Sequence, residues 1–389
     1  MPTCLATIGP EDRFMLRAAE LALRGRGATA PNPCVGAVLA RGGLIVAEGW
    51  HEVYGGPHAE VNCLADAQAK GVDPAQCTLY VTLEPCNHHG KTPPCTQAVI
   101  GAGIRRVVIG CLDPNPDVAG GGAKALADAG VEVITGVEET LCRDLIDEFV
   151  HWKATNRPYS ILKMASTIDG KIAARGGRPQ AVSGPDSFKD VHRLRAQVQA
   201  IIVGGNTFYG DNPQLTSRLV DTELPKNFKQ PFAVVVTGQL PKAYSTFALL
   251  RARPDQVIFW TTEYSAKTPL ADELRERGTR IWGLPELPSP TGTKGMAFTN
   301  AFQRLREELS IHRTLCEGGG HLALSLARQD LVDEFVLYMA PRVLGDSEGK
   351  SLFAGDAVQS MDQALAFRLA HAASCGDDLK LTYKPRRAV

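Results

Sequence analysis

The chain lacks a charge excess of either sign: 42 Lys and Arg stand against 42 Asp and Glu in 389 residues. A chain so balanced has no general field for holding nucleic acid or an anionic membrane, so any phosphate it binds must be held by local groups. It has no run approaching the roughly 18–20 continuous apolar residues of a membrane span. Its start, Met1 to Glu20, lacks the basic stretch and apolar core of a secretory signal. The expectation is a cytoplasmic protein that binds neither nucleic acid nor membrane. Ten cysteines do not make a disulfide scaffold in a chain of this length. In a reducing compartment they are mostly small buried apolar residues, with a few possible ligands.

What is present fits a globular enzyme: 44% hydrophobic and 22% charged residues exclude a disordered chain. The length exceeds one ordinary core, and two domains are expected, 1–152 and 153–389. In the first, Glu11 to Arg24 has helical spacing, and Val35 to Leu39 and Leu44 to Glu48 read as a hairpin about Arg41-Gly42-Gly43. Helices follow at His58 to Lys70, Thr96 to Ala102, Ala123 to Ala129 and Leu141 to Trp152, alternating with strands Thr78 to Leu83, Arg106 to Ile109 and Val131 to Ile134. This is an α/β layered pattern. After the turn Asn156-Arg157-Pro158 comes a second α/β unit. Its strands are expected at 159–165, 200–203, 232–236, 257–260, 313–316 and 334–339, and its helices at 185–197, 301–309 and 321–328. Leu284 to Gly295, rich in Pro and Gly, reads as a surface loop.

The strongest motif is His58-Ala59-Glu60, followed by Glu84-Pro85-Cys86 and by Pro93-Pro94-Cys95. A catalytic zinc takes three protein ligands and leaves a position for water, whose pKa it lowers to about 7. One imidazole and two thiolates, His58, Cys86 and Cys95, meet that need. Glu60, beside the metal but not bound to it, is placed to take the water proton and deliver protons to the ring nitrogen and the leaving amine. A His-x-Glu pair followed by a Pro-Cys segment is the signature of the zinc deaminases. The second cysteine departs from the commonest spacing, Pro-Cys-x-x-Cys, since Asn87 to Pro94 intervene. A plainer reading makes these ordinary buried cysteines and a core histidine; the joint pattern opposes it. A structural zinc would want a fourth ligand, His88 or His89, and would leave Glu60 idle.

In the second half no Gly-x-Gly-x-x-Gly follows any expected strand, which leaves an ordinary Rossmann dinucleotide site unsupported. Two glycine clusters do follow strands, Gly204-Gly205 and Gly318-Gly319-Gly320. Such turns let backbone N–H groups approach a phosphate, and are as often simple turns.

Longer motifs carry a resemblance. The run from Thr82 to Cys95, with Pro31-Asn32-Pro33-Cys34-Val35-Gly36 and Asp113-Pro114-Asn115-Pro116, resembles the bifunctional riboflavin-biosynthesis deaminase/reductase family. Lys163 to Gly170, Gly204 to Pro213 and Glu317-Gly318-Gly319 extend the resemblance through the second half. The long interval between Cys86 and Cys95 is usual in that family. The resemblance implies a cytidine-deaminase-like three-layer domain followed by a dihydrofolate-reductase-like domain. It implies deamination of 2,5-diamino-6-(5-phosphoribosylamino)pyrimidin-4-one, then NADPH-dependent reduction of the product's ribosyl group to ribityl, with one zinc per chain. By position it assigns Asn32, His51, His88 and Lys91 to the deaminase substrate. It assigns Ala165, Ala181, Thr207, Asp211 and the turn Gly319-Gly320-His321-Leu322 to NADPH, and Pro179, Arg195, Leu215, Arg218 and Glu317 to the reductase substrate. Arg195 and Arg218 suit a phosphate tail, since a guanidinium forms paired bonds to such oxygens. Many relatives have Ser-x-Trp-Ile/Val where this chain has Pro179-Gln180-Ala181-Val182, so a hydroxyl and an aromatic wall are lost there. The expected partners are small phosphorylated aminopyrimidines, and a homo-oligomer is expected. The alternative, a nucleic-acid base deaminase with a degenerate second domain, sits poorly with a net charge of zero.

Overall fold

Thr78–Leu83 is buried at every residue but its first, because it is the middle strand of a five-stranded sheet covered on both faces. The structure is a computed structural model that describes residues 9, 11–88, 93–115, 121–175, 180–288, 295–356 and 358–386. The chain divides into two compact units, Met1–Thr155 with Pro225–Phe228, and Asn156–Leu224 with Lys229–Val389.

In the first unit, β1 (Gly36–Arg41), β2 (Leu44–Trp50), β3 (Thr78–Leu83), β4 (Arg106–Cys111) and β5 (Glu132–Thr135) lie in the order β2-β1-β3-β4-β5. β1 is antiparallel to β2 and β3, while β3, β4 and β5 run parallel. The register sets Gly49, Ala37, Val81 and Ile109 opposite one another, so they share a face. On that face packs α2 (Ala59–Ala69), with α3 (Cys95–Gly101) and α4 (Gly121–Asp128) beside it; α1 (Asp12–Leu23) and α5 (Glu139–Ala154) cover the other. The result is three layers around a core that includes Val38, Leu79, Val107 and Ile109.

A glycine sets the spacing of α2. A Cβ on Gly49 would lie 2.2 Å from the Cys63 nitrogen and 2.6 Å from the Ala59 carbonyl oxygen. Only an absent side chain lets the helix backbone sit so close to β2.

The second unit contains, in chain order, β6 (Tyr159–Thr167), β7 (Lys171–Ala173), α6 (Pro185–Ala196), β8 (Ala200–Gly204), α7 (Gly205–Asp211), β9 (Phe232–Val236), α8 (Ala248–Ala252), β10 (Val257–Thr262), α9 (Pro269–Glu276) and β11 (Arg280–Leu284). Then come β12 (Glu286–Leu287), β13 (Gly295–Met296), α10 (Thr299–Leu309), β14 (Arg313–Cys316), α11 (Gly320–Arg328), β15 (Glu334–Ala340), β16 (Lys350–Ser351), β17 (Phe367–Cys375) and β18 (Asp378–Pro385). Nine strands form one sheet, β11-β10-β9-β8-β14-β6-β15-β18-β17. It is parallel from β11 to β15 and closes on the antiparallel hairpin β17–β18. β8 and β14 are neighbours, so the two glycine clusters meet at the carboxyl ends of adjacent parallel strands, where α/β sheets bind ligands.

Most expected elements form within a residue or two of their expected limits. The flanks of the loop expected at 284–295 instead pair, Glu286 with Met296 and Leu287 with Gly295. Helices α7, α8 and α9 and strands β11, β17 and β18 were not anticipated. Among the described residues no helix is long and apolar enough to cross a membrane.

Candidate active sites

His58 sits at the N-cap of α2 with extended backbone, and Glu60 falls in the first turn, 3% exposed. Cys86 follows the end of β3, and Cys95 opens α3. These segments bring the imidazole and both sulfurs together. His58 Nδ1 lies 3.3 Å from Cys95 Sγ and 3.6 Å from Cys86 Sγ, and the Cys95 backbone N–H donates to Cys86 Sγ at 3.4 Å. One donor atom from each residue lies within 4.8 Å of the other two. Three nitrogen and sulfur donors gathered so closely, with no fourth among the described residues, suit a zinc with an open position.

The electrostatics follow from crowding. A hydrogen bond from the Cys95 thiol, with others from His58 and the Cys95 backbone, draws the Cys86 thiol down to about 4. Cys95 is pushed up, because Cys86 already carries the thiolate charge beside it. Contact with Cys86 raises His58, and burial raises Glu60.

The cluster opens on a cavity of about 380 Å³ whose wall includes Asn32, His51 and His88. His51 Nδ1 lies 2.9 Å from the Pro57 carbonyl oxygen, so it carries the proton, and Nε2 is left to accept from Asn32 Nδ2 at 3.3 Å. Burial lowers the His51 pKa and keeps the ring neutral. Lys91 and His89 lie outside the described residues. Glu84, within the recognised motif but given no role from sequence, is a brace. Its Oε2 accepts from the Asp113 N–H at 3.0 Å and its Oε1 from the Ala123 N–H at 2.8 Å, tying the segments after β4 to the Pro-Cys turn. Sequence reading also missed Phe149 and Lys153 of α5, which line the cavity one helical turn apart; a helix on the opposite face of the sheet carries no motif to announce it.

In the second unit a cavity of about 1290 Å³ is lined by both glycine clusters. Ala181, Thr207, Asp211, Gly319, Gly320, His321 and Leu322 all face it, and so does Gln180. Ala165 does not: it stands in mid-β6 opposite Tyr338. Pro179 lies outside the described residues. A Cβ on Gly320 would come within 2.7 Å of the Ser351 carbonyl oxygen, while one on Gly204 or Gly319 would meet nothing within 4 Å. The open backbone at those two glycines, with the first turn of α11 behind Gly319, is a cradle that fits a dinucleotide pyrophosphate.

The residues expected to meet the reductase substrate gather away from that cavity's wall. Arg195 Nε donates to Glu317 Oε1 at 2.6 Å and Nη2 to Oε2 at 2.8 Å, while Nη1 donates to the Thr216 carbonyl at 3.1 Å. Its fork is therefore taken up by Glu317 rather than offered to a phosphate. Burial pushes Glu317 up, but the bonds and charge of Arg195, aided by Lys163, outweigh it and leave it lowered. Burial draws Lys163 down against the pull of Glu317. Leu215 is buried with a φ of 50°, in the left-handed region, and Arg253 holds it by donating to the Gln214 and Leu215 carbonyls at 2.7 and 2.8 Å. Arg218 is exposed. Its backbone N–H donates to His192 Nδ1 at 3.1 Å, and its guanidinium lies 5.3 Å from the Phe188 ring centre.

Comparison with known proteins covers nearly the whole chain. Residues 10–111 match the cytidine and deoxycytidylate deaminase zinc-binding region, and residues 158–381 match the RibD C-terminal domain. The riboflavin biosynthesis protein RibD of Aquifex aeolicus is 38% identical, over 96% of this chain and 98% of that protein. The RibD protein of Escherichia coli is 34% identical, over 95% and 98%. Among solved structures, Acinetobacter baumannii RibD superposes with a TM-score of 0.74 at 33% identity, covering 98% of this chain and 100% of that one. The Thermotoga maritima diaminohydroxyphosphoribosylaminopyrimidine deaminase/5-amino-6-(5-phosphoribosylamino)uracil reductase superposes with a TM-score of 0.75 at 33% identity, covering 97% and 99%. With a zinc-binding deaminase unit and a reductase unit in one chain, and relatives of this identity along its full length, the chain belongs to the RibD family of riboflavin-biosynthesis proteins.

Proposed function

We propose that the first unit deaminates diaminohydroxyphosphoribosylaminopyrimidine, and that the second reduces the resulting 5-amino-6-(5-phosphoribosylamino)uracil with NADPH. The observation that carries this reading is the convergence of His58, Cys86 and Cys95 beside the buried Glu60 at the wall of a cavity. These three side chains would hold the zinc, which supplies a Lewis acid for activating water. Glu60 takes a proton from that water, passes it to the ring nitrogen, and carries the next to the departing amine; the C–NH₂ bond is exchanged for C=O and ammonia leaves. Burial suits Glu60 to this work, since a carboxyl with a raised pKa holds a proton long enough to hand it on. The neutral His51 fixes the Asn32 amide through its Nδ2, which leaves Asn32 Oδ1 as the acceptor offered to an N–H of the pyrimidine.

In the second unit NADPH supplies the hydride. Gly319 and the start of α11 would hold its pyrophosphate, with Thr207 and Asp211 along the same wall. Ala181 faces the cavity at the position where many relatives place an aromatic ring, with Gln180 beside it, so contact at Ala181 falls to backbone groups. Of the two arginines, Arg195 orients Glu317, while the exposed Arg218, its guanidinium 3.2–3.3 Å from His192 Nε2, is the one a phosphate tail can reach.

A coupled assay on the purified, zinc-loaded chain tests both halves. Ammonia is expected from the diaminopyrimidine without NADPH, and NADPH oxidation only once the deaminated product is present. No ammonia, or NADPH consumption indifferent to that product, would overturn the reading.

A further inference from the structure

Helix α6 presents one stripe to the residues that meet the reductase substrate. Phe188, His192 and Arg195 recur on it at helical spacing. The Phe188 ring centre lies 4.8 Å from that of His192 and 5.3 Å from the Arg218 guanidinium, His192 accepts from the Arg218 N–H, and Arg195 grips Glu317. The segment that leads into α6 contains Gln180 and Ala181, which face the cofactor cavity. The start of one helix therefore serves both sides of the reductase site.

That start cannot fix itself. Its N-cap is Gly184, which has no side chain to satisfy the free N–H groups, and Pro185 follows with no N–H at all. The missing acceptor comes from 194 residues away: the Gly184 N–H donates to Asp378 Oδ2 at 2.7 Å. The Ser187 hydroxyl, in the first turn of α6, donates to the same oxygen at 2.6 Å. Asp378 opens β18 and is 4% exposed, and Ser187 is fully buried. Two more contacts seat the β17–β18 hairpin on α6. In its turn, a Cβ on Gly376 would lie 2.5 Å from Asp186 Oδ2. Beyond it, Lys380 donates to Asp190 Oδ2 at 2.6 Å, and the Tyr338 hydroxyl donates to that oxygen as well. Asp186 and Asp190 stand one turn apart, so the hairpin grips a stripe of α6 distinct from the one that bears His192 and Arg195.

We propose that Asp378 is a positioning residue of the reductase. From the C-terminal hairpin it fixes the start of α6, and through it both the cofactor-side segment that ends at Gly184 and the placement of His192 and Arg195. The proposal rests on the reductase reading given above. Asp378 acts through Gly184 and Ser187; without its oxygen the helix start is free to shift, and both ligands meet displaced groups.

The test compares the zinc-loaded full chain with Asp378→Ala, Asp378→Asn and Ser187→Ala, each assayed for NADPH oxidation on the deaminated product and for ammonia release. Both bonds end on one oxygen, so the amide oxygen of Asp378→Asn can accept both, and its KM values are expected to stay within about twofold of the parent. Asp378→Ala is expected to raise the KM for NADPH and for the uracil substrate, each roughly three- to tenfold, the weight of one hydrogen bond. Ser187→Ala is expected to raise both by less, since the Gly184 bond remains. Ammonia release should be unchanged in all three. A residue needed only for folding would lower the active fraction, and so kcat, with both KM values unmoved. That result in Asp378→Ala overturns the proposal, and so do equal losses in Asp378→Asn and Asp378→Ala, which would assign the effect to charge. If Asp378→Ala does not fold, Ser187→Ala decides by the same split between KM and kcat. If the parent chain oxidises no NADPH with the deaminated product, this proposal falls with the reading beneath it.

Discussion

Arg195 grips Glu317 through two parallel hydrogen bonds of 2.6 and 2.8 Å, with each side chain only 13% exposed. Removing one partner of such a pair strands the other charge in a poorly solvated place, at a cost of roughly 3–5 kcal/mol. Arg195→Ala is therefore expected to lower the stability of the chain in urea by more than any loss of a phosphate contact would. Arg195→Met with Glu317→Leu is expected to recover most of that stability while leaving the reductase inactive. Arg218→Ala provides the contrast. Its guanidinium is exposed, so stability should shift by no more than about 0.5 kcal/mol while the reductase KM rises. Equal stability losses in Arg195→Ala and Arg218→Ala would contradict this division of labour.

Glu60 offers a test of the deaminase chemistry apart from metal binding. It stands two residues beyond His58 but is absent from the donor cluster of His58, Cys86 and Cys95. Glu60→Gln is expected to abolish ammonia release, a loss of at least about 10²-fold for a general acid–base residue. The variant should retain zinc, measured by metal analysis. Conversely, removal of zinc by a chelator should stop ammonia release while NADPH oxidation on the deaminated product continues. Loss of zinc from Glu60→Gln would make that residue a ligand and displace the scheme.

The zinc cluster was legible in the sequence because metal chemistry restricts residue types and the three segments carry their identity locally. The strands of the parallel sheets were legible for a similar reason: Val-, Ile- and Leu-rich runs such as Ala200–Gly204 and Phe232–Val236 are buried on both faces. β17 was not, because its residues are at most half-buried and show no alternation to read. Its pairing to β18 is made by backbone bonds that the sequence does not advertise. Arg195 shows the same limit within a site. Residue type and motif give its charge, but not that a carboxylate 122 residues away would occupy it. Phe149 and Lys153 show it again, since the cavity they line exists only once α5 is folded against the sheet.

Gly49 links the fold to the site. A methyl group there would intrude to 2.2 Å on the backbone of α2, the helix that carries Glu60 and is capped by His58. Backbone cannot yield as a side-chain tip does, so Gly49→Ala must lift the helix or bend the strand, at a cost of about 1–3 kcal/mol. A misplacement of about 1 Å at reacting groups is enough to lose on the order of 10²-fold in rate. Gly49→Ala is therefore expected to lower Tm, weaken zinc retention and cut deaminase kcat, with NADPH oxidation as the internal control. A variant with normal zinc content and normal kcat would show that the close approach of α2 to β2 is not needed by the site.

Acid should destabilise the second unit through a histidine outside both sites. Burial, with the charge of Arg306 added, lowers His312 from the ordinary 6.5 to about 4, while its Nδ1 donates to the Ser310 carbonyl at 2.7 Å. The unfolded chain then takes up a proton on this ring as the pH falls through about 6.5, and the folded chain only near 4. Stability from the half-buried neutral ring is thus present in full above 6.5 and is lost progressively as the pH falls toward 4. His312→Gln removes the titration and keeps an N–H donor. The fall in Tm between about pH 7.5 and about pH 5.5 is expected to be smaller in His312→Gln than in the parent chain, with carboxylates contributing equally to both. A fall of the same size in the two proteins would show that His312 already titrates in the folded state as it does in the unfolded one.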